Sequence, residues 1–375
     1  MKKLLCIILS LMAVIMYIPD YYSFAEENSF PYVLIETSTK TVICENNPDM
    51  HVNAGYMSKL MSLLVIADSI ETGKFRIDDE LTASASVTGT KGSVIWLQQG
   101  DKLTADELLK GVIIGNANDA LTVLAEKSCR TLDEFVSQMN SMAFDIGLRN
   151  SAFTNPYGYY SENDYTTAHD VAVISAELSK YDFLLPYFQI WRDFIKEGKT
   201  ELVNENTLSR TFEGHTGFKA CHSEQSGYCI AEGAVKDDCS YIAVILNAPD
   251  EDTMFSKAKN LINKGFREYK VTVPAFLDEL LIPMKVKSGQ ENAVEIMLES
   301  QNSVVVPKAS SEITNIIVIP EYITAPVKKG QKIGTMAFYN DDTLLFETNI
   351  ITKNDVKKSS LLFIVKKSLS NLLKL

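Results

Sequence analysis

The sequence predicts an α+β fold: a first domain of helices packed on an antiparallel sheet, a small all-β domain after it, and an amphipathic helix at the end. Three observations carry this. Strand-like runs at Tyr32–Cys44 and Tyr228–Asn247 bracket five segments with helical periodicity. After about Tyr269 the chain breaks into short apolar runs separated by Gly, Pro, Asn and Asp. The last twenty residues are rich in Leu and Lys.

In chain order, residues 1–25 read as an export signal. Lys2 and Lys3 precede an apolar run from Leu4 to Ile18, and Ser23-Phe24-Ala25 offers small residues for cleavage. The alternative is an uncleaved anchor, although the run is short for a bilayer span. Residues 26–268 form the first domain. It opens on a hairpin, Tyr32–Glu36 and Thr41–Cys44, around a polar Ser-Thr-Lys stretch. Helical spacing follows at Ser58–Ile70, Asp106–Ile114, Asn118–Lys127, Leu132–Ile146 and Thr167–Leu178. Strands at Tyr228–Ala234 and Tyr241–Asn247 flank the turn at Lys236-Asp237-Asp238, and Asp252–Phe266 returns to helical spacing. Residues 269–355 form the β-rich domain, with runs at Val271–Val286, Ala293–Leu298, Ser303–Val306, Ile313–Ile319, Ile333–Tyr339 and Leu344–Ile350. In residues 356–375, Leu362, Val365, Leu369, Leu372 and Leu373 share one helical face, opposite Lys367, Ser370, Asn371 and Lys374. A basic amphipathic helix on an exported acidic chain reads as an anchor on a membrane surface; the alternative is docking on the protein's own body.

Composition narrows the function. A chain of 375 residues with 46% hydrophobic and 22% charged residues is long enough for two well-buried domains. A formal net charge of −12 argues against a nucleic-acid partner, since phosphate binding needs a basic surface. Besides Cys6, five cysteines remain (Cys44, Cys129, Cys221, Cys229, Cys239), an odd number with neither a disulfide framework nor a zinc pattern. Cys221 and Cys229 could pair across a loop, but their separation is not legible in the sequence. His51, His169, His215 and His222 show no ligand spacing, so no metal or other cofactor is expected.

Three short stretches suggest chemistry: Tyr56-Met57-Ser58-Lys59, Asn116-Ala117-Asn118 and His215-Thr216-Gly217. Their flanks make the match specific. Asn53-Ala54-Gly55-Tyr56-Met57-Ser58-Lys59-Leu60-Met61-Ser62 resembles P-A-S-x-T-K-x-M-T. Asn116-Ala117-Asn118-Asp119-Ala120 with Leu124-Ala125-Glu126 resembles S-x-N-D-A…L-A-E. Met139-Asn140, Phe153-Thr154-Asn155-Pro156-Tyr157-Gly158, Thr166-Thr167-Ala168-His169-Asp170 and Asn204-Glu205-Asn206-Thr207-Leu208 match M-N, F-x-N-P-x-G, T-A-x-D and N-x-N-x-L in order. Thr324–Gln331 resembles a later A-P-(I/V)-x-x-G-Q. The chain thus resembles the serine-type D-alanyl-D-alanine carboxypeptidases, low-mass penicillin-binding proteins of the S11 peptidase type.

The resemblance implies a β-lactamase/transpeptidase-like fold for residues 26–268 and a peptidoglycan stem peptide as ligand. It implies a serine nucleophile activated by a lysine one helical turn on, a hydroxyl relay with a substrate-holding amide, and an edge strand whose cation meets the substrate carboxylate. By that pattern Tyr56 stands at the nucleophile position, Lys59 at the base, Asn116 at the relay and Asn118 at the amide. His215, Thr216 and Gly217 stand at the substrate-binding strand. Three of these depart from the pattern. A phenol has a pKa near 10 and its oxygen reaches further than a serine hydroxyl; an amide cannot relay a proton as a hydroxyl does; and an imidazole is mostly neutral at pH 7. Ser58 is the other hydroxyl at hand, but it adjoins Lys59, and neighbouring helical side chains diverge. The expectation is an exported, membrane-associated protein of the cell envelope that is impaired or inactive as an enzyme and binds muropeptides or acts as a scaffold, its protein partner unspecified. The alternative is a residual serine carboxypeptidase.

Overall fold

A computed structural model describes residues 30–365 apart from residues 275, 277 and 311. The export-signal segment, residues 1–25, and residues 366–375 of the expected terminal helix lie outside the described residues.

The first domain is built on a five-stranded antiparallel sheet in the order Val42–Asn46, Tyr32–Glu36, Cys239–Ala248, Gly227–Lys236, His215–Ser223. Its strands are apolar on both sides because helices cover both faces. Val33 and Ile35 join a core shared with the Ser58–Glu71 helix, while Leu34 and Ile245 join one under the Glu251–Glu268 helix. The Ser58–Glu71 helix is apolar nearly all round, with Leu60, Met61, Leu63, Leu64, Val65 and Ile66 each at 2% exposure or less, which suits a central helix. Burying each such side chain contributes about 1.5–3 kcal/mol. The strand His215–Ser223 lies at the sheet's edge, beside the turn that leads into that helix.

Helix starts are fixed locally. Thr104, Thr131, Thr167 and Asp250 each accept a backbone N–H of the first turn, and Glu107 returns the favour at Thr104 in a capping box.

In the second domain, Tyr269–Thr272 pairs with Val304–Pro307 and a four-stranded sheet runs Ile296–Leu298, Thr343–Thr352, Lys332–Asn340, Ile313–Val318. The apolar run Val271–Val286 is not one strand. Past Pro274 the chain makes a turn at Asp278–Leu280 and resumes pairing only at Met284–Lys287, after Pro283.

Residues 356–359, assigned from sequence to the terminal helix, belong to the β-domain. Val356 is buried and exchanges backbone hydrogen bonds with Val327, and Ser359 N donates to Ser288 O at 2.8 Å. Helix begins at Leu361, and Leu361, Leu362, Ile364 and Val365 are exposed. Among the described residues no helix is long and apolar enough to cross a membrane.

Candidate active site

Tyr56 sits in a short 3-10 turn, Gly55–Met57, leading into the Ser58–Glu71 helix. Lys59, in the first turn of that helix, is 1% exposed and its amine lies over the Tyr56 ring, 5.4 Å from the centroid. Lys59 Nζ donates to Asn116 O at 2.6 Å and to Asn116 Oδ1 at 2.5 Å. Asn116 can turn both oxygens toward it because it adopts a left-handed backbone, φ 57°, which asparagine tolerates better than most residues. Burial holds the Lys59 pKa well below its ordinary 10.5, and the nearby Lys219 charge pushes the same way, against weaker opposing effects of Glu205 and Cys221. Both effects favour the neutral amine over the ammonium.

Ser58 Oγ is buried and, among the described residues, has no hydrogen-bond partner. Lys59 turns away from it, as adjacent helical positions require.

The strand residue that enters this cluster is Lys219, not His215. Lys219 Nζ donates to the same Asn116 Oδ1 at 3.0 Å, so one amide oxygen receives two amines. Cys221, two residues on, faces the same side of the strand and is buried in the same core. His215 lies four residues earlier, roughly 13 Å back along the strand. There its Nδ1 is 2.7 Å from Glu232 Oε1 and its Nε2 is 3.1 Å from Phe188 O. Glu232 in turn accepts from Asn206 Nδ2 at 2.7 Å. The histidine already meets a carboxylate belonging to the chain itself, and Gly217 is covered by Phe188. The Thr-Gly pair after His215 drew the sequence match upstream; the signal for Lys219 is a lone charge inside the apolar strand run Phe218-Lys219-Ala220-Cys221.

Asn118 is fully buried. Its Nδ2 donates to Lys91 O at 2.7 Å and approaches Tyr159 Oη at 3.4 Å, while its Oδ1 has no partner among the described residues. Lys91 N and O are both bonded to Tyr159 Oη, which fastens the loop around Lys91 over Asn118. A pocket of about 320 Å³ remains, lined by Tyr56, Lys91, Tyr159, Tyr160, Ser223 and Gln225 among others.

With that geometry in view, comparison with known proteins is decisive. The family described as D-alanyl-D-alanine carboxypeptidase matches residues 22–250, more than half of the chain, and the C-terminal domain of penicillin-binding protein 5 matches residues 278–358. The chain belongs to the D-alanyl-D-alanine carboxypeptidase family. It is 29% identical over 344 residues to the D-alanyl-D-alanine carboxypeptidase DacF of Bacillus subtilis, covering 90% of this chain and 88% of the relative. It is 26% identical to DacC of Escherichia coli, covering 87% and 84%. Penicillin-binding protein 5 of Haemophilus influenzae shares the fold, with a TM-score of 0.80 at 24% identity over 88% of this chain and 98% of that one.

The family-like flanking residues are the joints of this scaffold. Asn155 Oδ1 accepts the backbone N–H groups of Tyr157, Gly158 and Tyr159, and its Nδ2 donates to Tyr159 O and Asp164 Oδ2. Asn140 takes the N–H and donates to the C=O of Phe153. Asp119 accepts from Ile95 N and Leu97 N, and Asp170 from Asn150 N and Ser151 Oγ. Gly158, φ +80°, brings its backbone against the Tyr56 turn so closely that a Cβ there would lie 2.0 Å from Gly55 O. Among the described residues no group of His, Cys, Asp or Glu is arranged to hold a metal ion.

Proposed function

We propose that this chain is an exported, membrane-associated member of the carboxypeptidase family that lacks acyl-transfer chemistry and serves in the cell envelope by binding peptidoglycan stem peptides or as a scaffold. The observation that carries this is the pairing of Tyr56 with Lys59. The residue at the nucleophile position offers the face of its ring to the amine, and the amine's hydrogen bonds go to Asn116 instead. Two further changes point the same way. Asn116 has no hydroxyl to relay a proton. Around Lys219, the strand cation in the cluster, the following residues are Ala220 and Cys221, so the hydroxyl of a K-T-G element is gone and a side chain stands where the glycine would be.

The alternative, residual carboxypeptidase activity through Tyr56 or Ser58, draws on one observation: burial of Lys59 lowers its pKa, the direction a general base requires. Labelling the purified mature protein with a fluorescent penicillin, followed by intact mass, separates the two. No adduct is expected, beside a labelled active relative; an acyl adduct on either residue overturns the reading.

Residues 1–25 and the helix starting at Leu361 support the envelope location, as a leader and as a basic amphipathic anchor. Deleting residues 361–375 is expected to move the processed protein from the membrane pellet to the soluble fraction. Continued pelleting rules out the anchor.

A further inference from the structure

Cys221 and Cys229 stand directly opposite each other on the hairpin formed by His215–Ser223 and Gly227–Lys236. Facing residues of an antiparallel pair point to the same side of the sheet, and both thiols lie in the core under the Ser58–Glu71 helix. The Cα separations of facing pairs, about 4.5 or 5.5 Å, both fall within the ~4.4–6.8 Å range that a disulfide spans. No such facing relation joins the others among the described residues: Cys44 faces Leu34, Cys239 faces Lys236, and Cys129 ends a helix. All five are free thiols in this structure.

We propose that Cys221 and Cys229 are a cross-link site, oxidised to an intrachain disulfide by a protein or small-molecule disulfide acting as the oxidant. A thiolate of one cysteine attacks a sulfur of the incoming disulfide, displacing one thiolate and forming a mixed disulfide. The second cysteine then attacks the linked sulfur and releases the other thiolate. The two cysteines give up two protons and two electrons, and the oxidant leaves as two thiols, so the step balances. Burial pushes the Cys229 thiol up to about 12 and raises Cys221 as well, against the lowering effect of Lys219 and Lys59. The folded hairpin therefore exchanges slowly, and the bond forms while the hairpin is open, during folding. Once made, it ties the edge strand to its neighbour two residues from Lys219, fixing the strand that delivers one of the two amines to Asn116. This does not rest on the loss of chemistry at Tyr56.

The test refolds the mature chain in a buffer of reduced and oxidised glutathione, quenches with acid, alkylates under denaturing conditions and maps the peptides. The expected result is a linked Cys221–Cys229 peptide in most of the folded protein, with Cys44, Cys129 and Cys239 alkylated. Alkylation of both Cys221 and Cys229, or a link from either to another cysteine, overturns the proposal. Thermal unfolding with and without reductant gives an independent measure. Reductant should lower the midpoint of the oxidised wild type and leave Cys229→Ser unchanged; an equal response of both also overturns it. Cys221→Ala replaces Cys229→Ser if that variant fails to fold.

Discussion

Two regions a few ångströms apart have met different fates. The scaffold around the cleft carries the family's polar side chains, and each has backbone partners: Asn155, Asn140, Asp119 and Asp170 as described above, and Asn206, whose Oδ1 accepts from Leu208 N. The cluster they surround has Tyr56, Asn116, Ala220 and Cys221 where the family pattern asks for serine, serine, threonine and glycine. These scaffold side chains answer to folding, because a buried backbone N–H left unpaired costs about 1–3 kcal/mol whatever the protein does. Cluster side chains answer to chemistry under the family pattern, and on the proposed reading any residue that packs will serve there. On the reading proposed above, the contrast separates positions held by folding from those, such as Tyr56, held only by packing.

The sharpest way to break that contrast is at Gly158. Gly158→Ala puts a Cβ into Gly55 O at a positive φ, so it is expected to cost more than about 4 kcal/mol and to leave little folded protein. Normal yield and an unchanged thermal midpoint would show that the loop is not the constraint. Next comes Asn155→Ala, which strands three N–H groups and should cost about 3 kcal/mol in chemical denaturation; a change below about 0.5 kcal/mol would put Asn155 with the relaxed group.

On the other side, Tyr56→Ser alone should leave D-alanine release from a D-Ala-D-Ala peptide at least roughly 100-fold below an active relative, since the relay and the strand element remain altered. Full activity in the single variant would mean that only the nucleophile had been lost. The smallest effect belongs to Lys59→Met, which removes a buried amine that on the proposed reading has no catalytic task. Unfolded, this lysine titrates near 10.5; folded, well below it. Between the two values the unfolded chain holds a proton that the native state does not. Stability from this group therefore rises with pH through that window. Lys59→Met should flatten the rise and stabilise the protein at neutral pH by about 1 kcal/mol. Destabilisation by a similar amount would show that the amine still earns its place structurally.

Much of this was legible in the sequence, for physical reasons. The helices at Ser58, Asn118, Leu132 and Thr167 announce themselves because period and burial agree within one local segment. The Gly158 motif was visible as text, although the contact that demands glycine, with Gly55, lies about a hundred residues away in the chain. The third element failed for the opposite reason. His215-Thr216-Gly217 has two of the three expected letters, yet the fold places Lys219 beside Asn116, and which strand residue faces the cluster depends on pairing with a partner strand. The same holds for His215 and Glu232, joined across the hairpin though seventeen positions apart. The helix begins at Leu361, five residues beyond Val356, because Val356 reads in sequence equally well as the start of an amphipathic helix and as the strand-edge residue it is against Val327.

The loop fastened over Asn118 has a thermodynamic consequence. The amide that would hold a ligand is already bonded to Lys91 O, with Tyr159 Oη beside it, so an incoming peptide competes with a tethered part of the same molecule. If the open form is a fraction f of the population, the observed dissociation constant is the intrinsic one divided by f. On the proposed binding role, affinity at this site is then a measure of loop opening as much as of fit, and substitutions at Tyr159, which also lines the pocket, act on both.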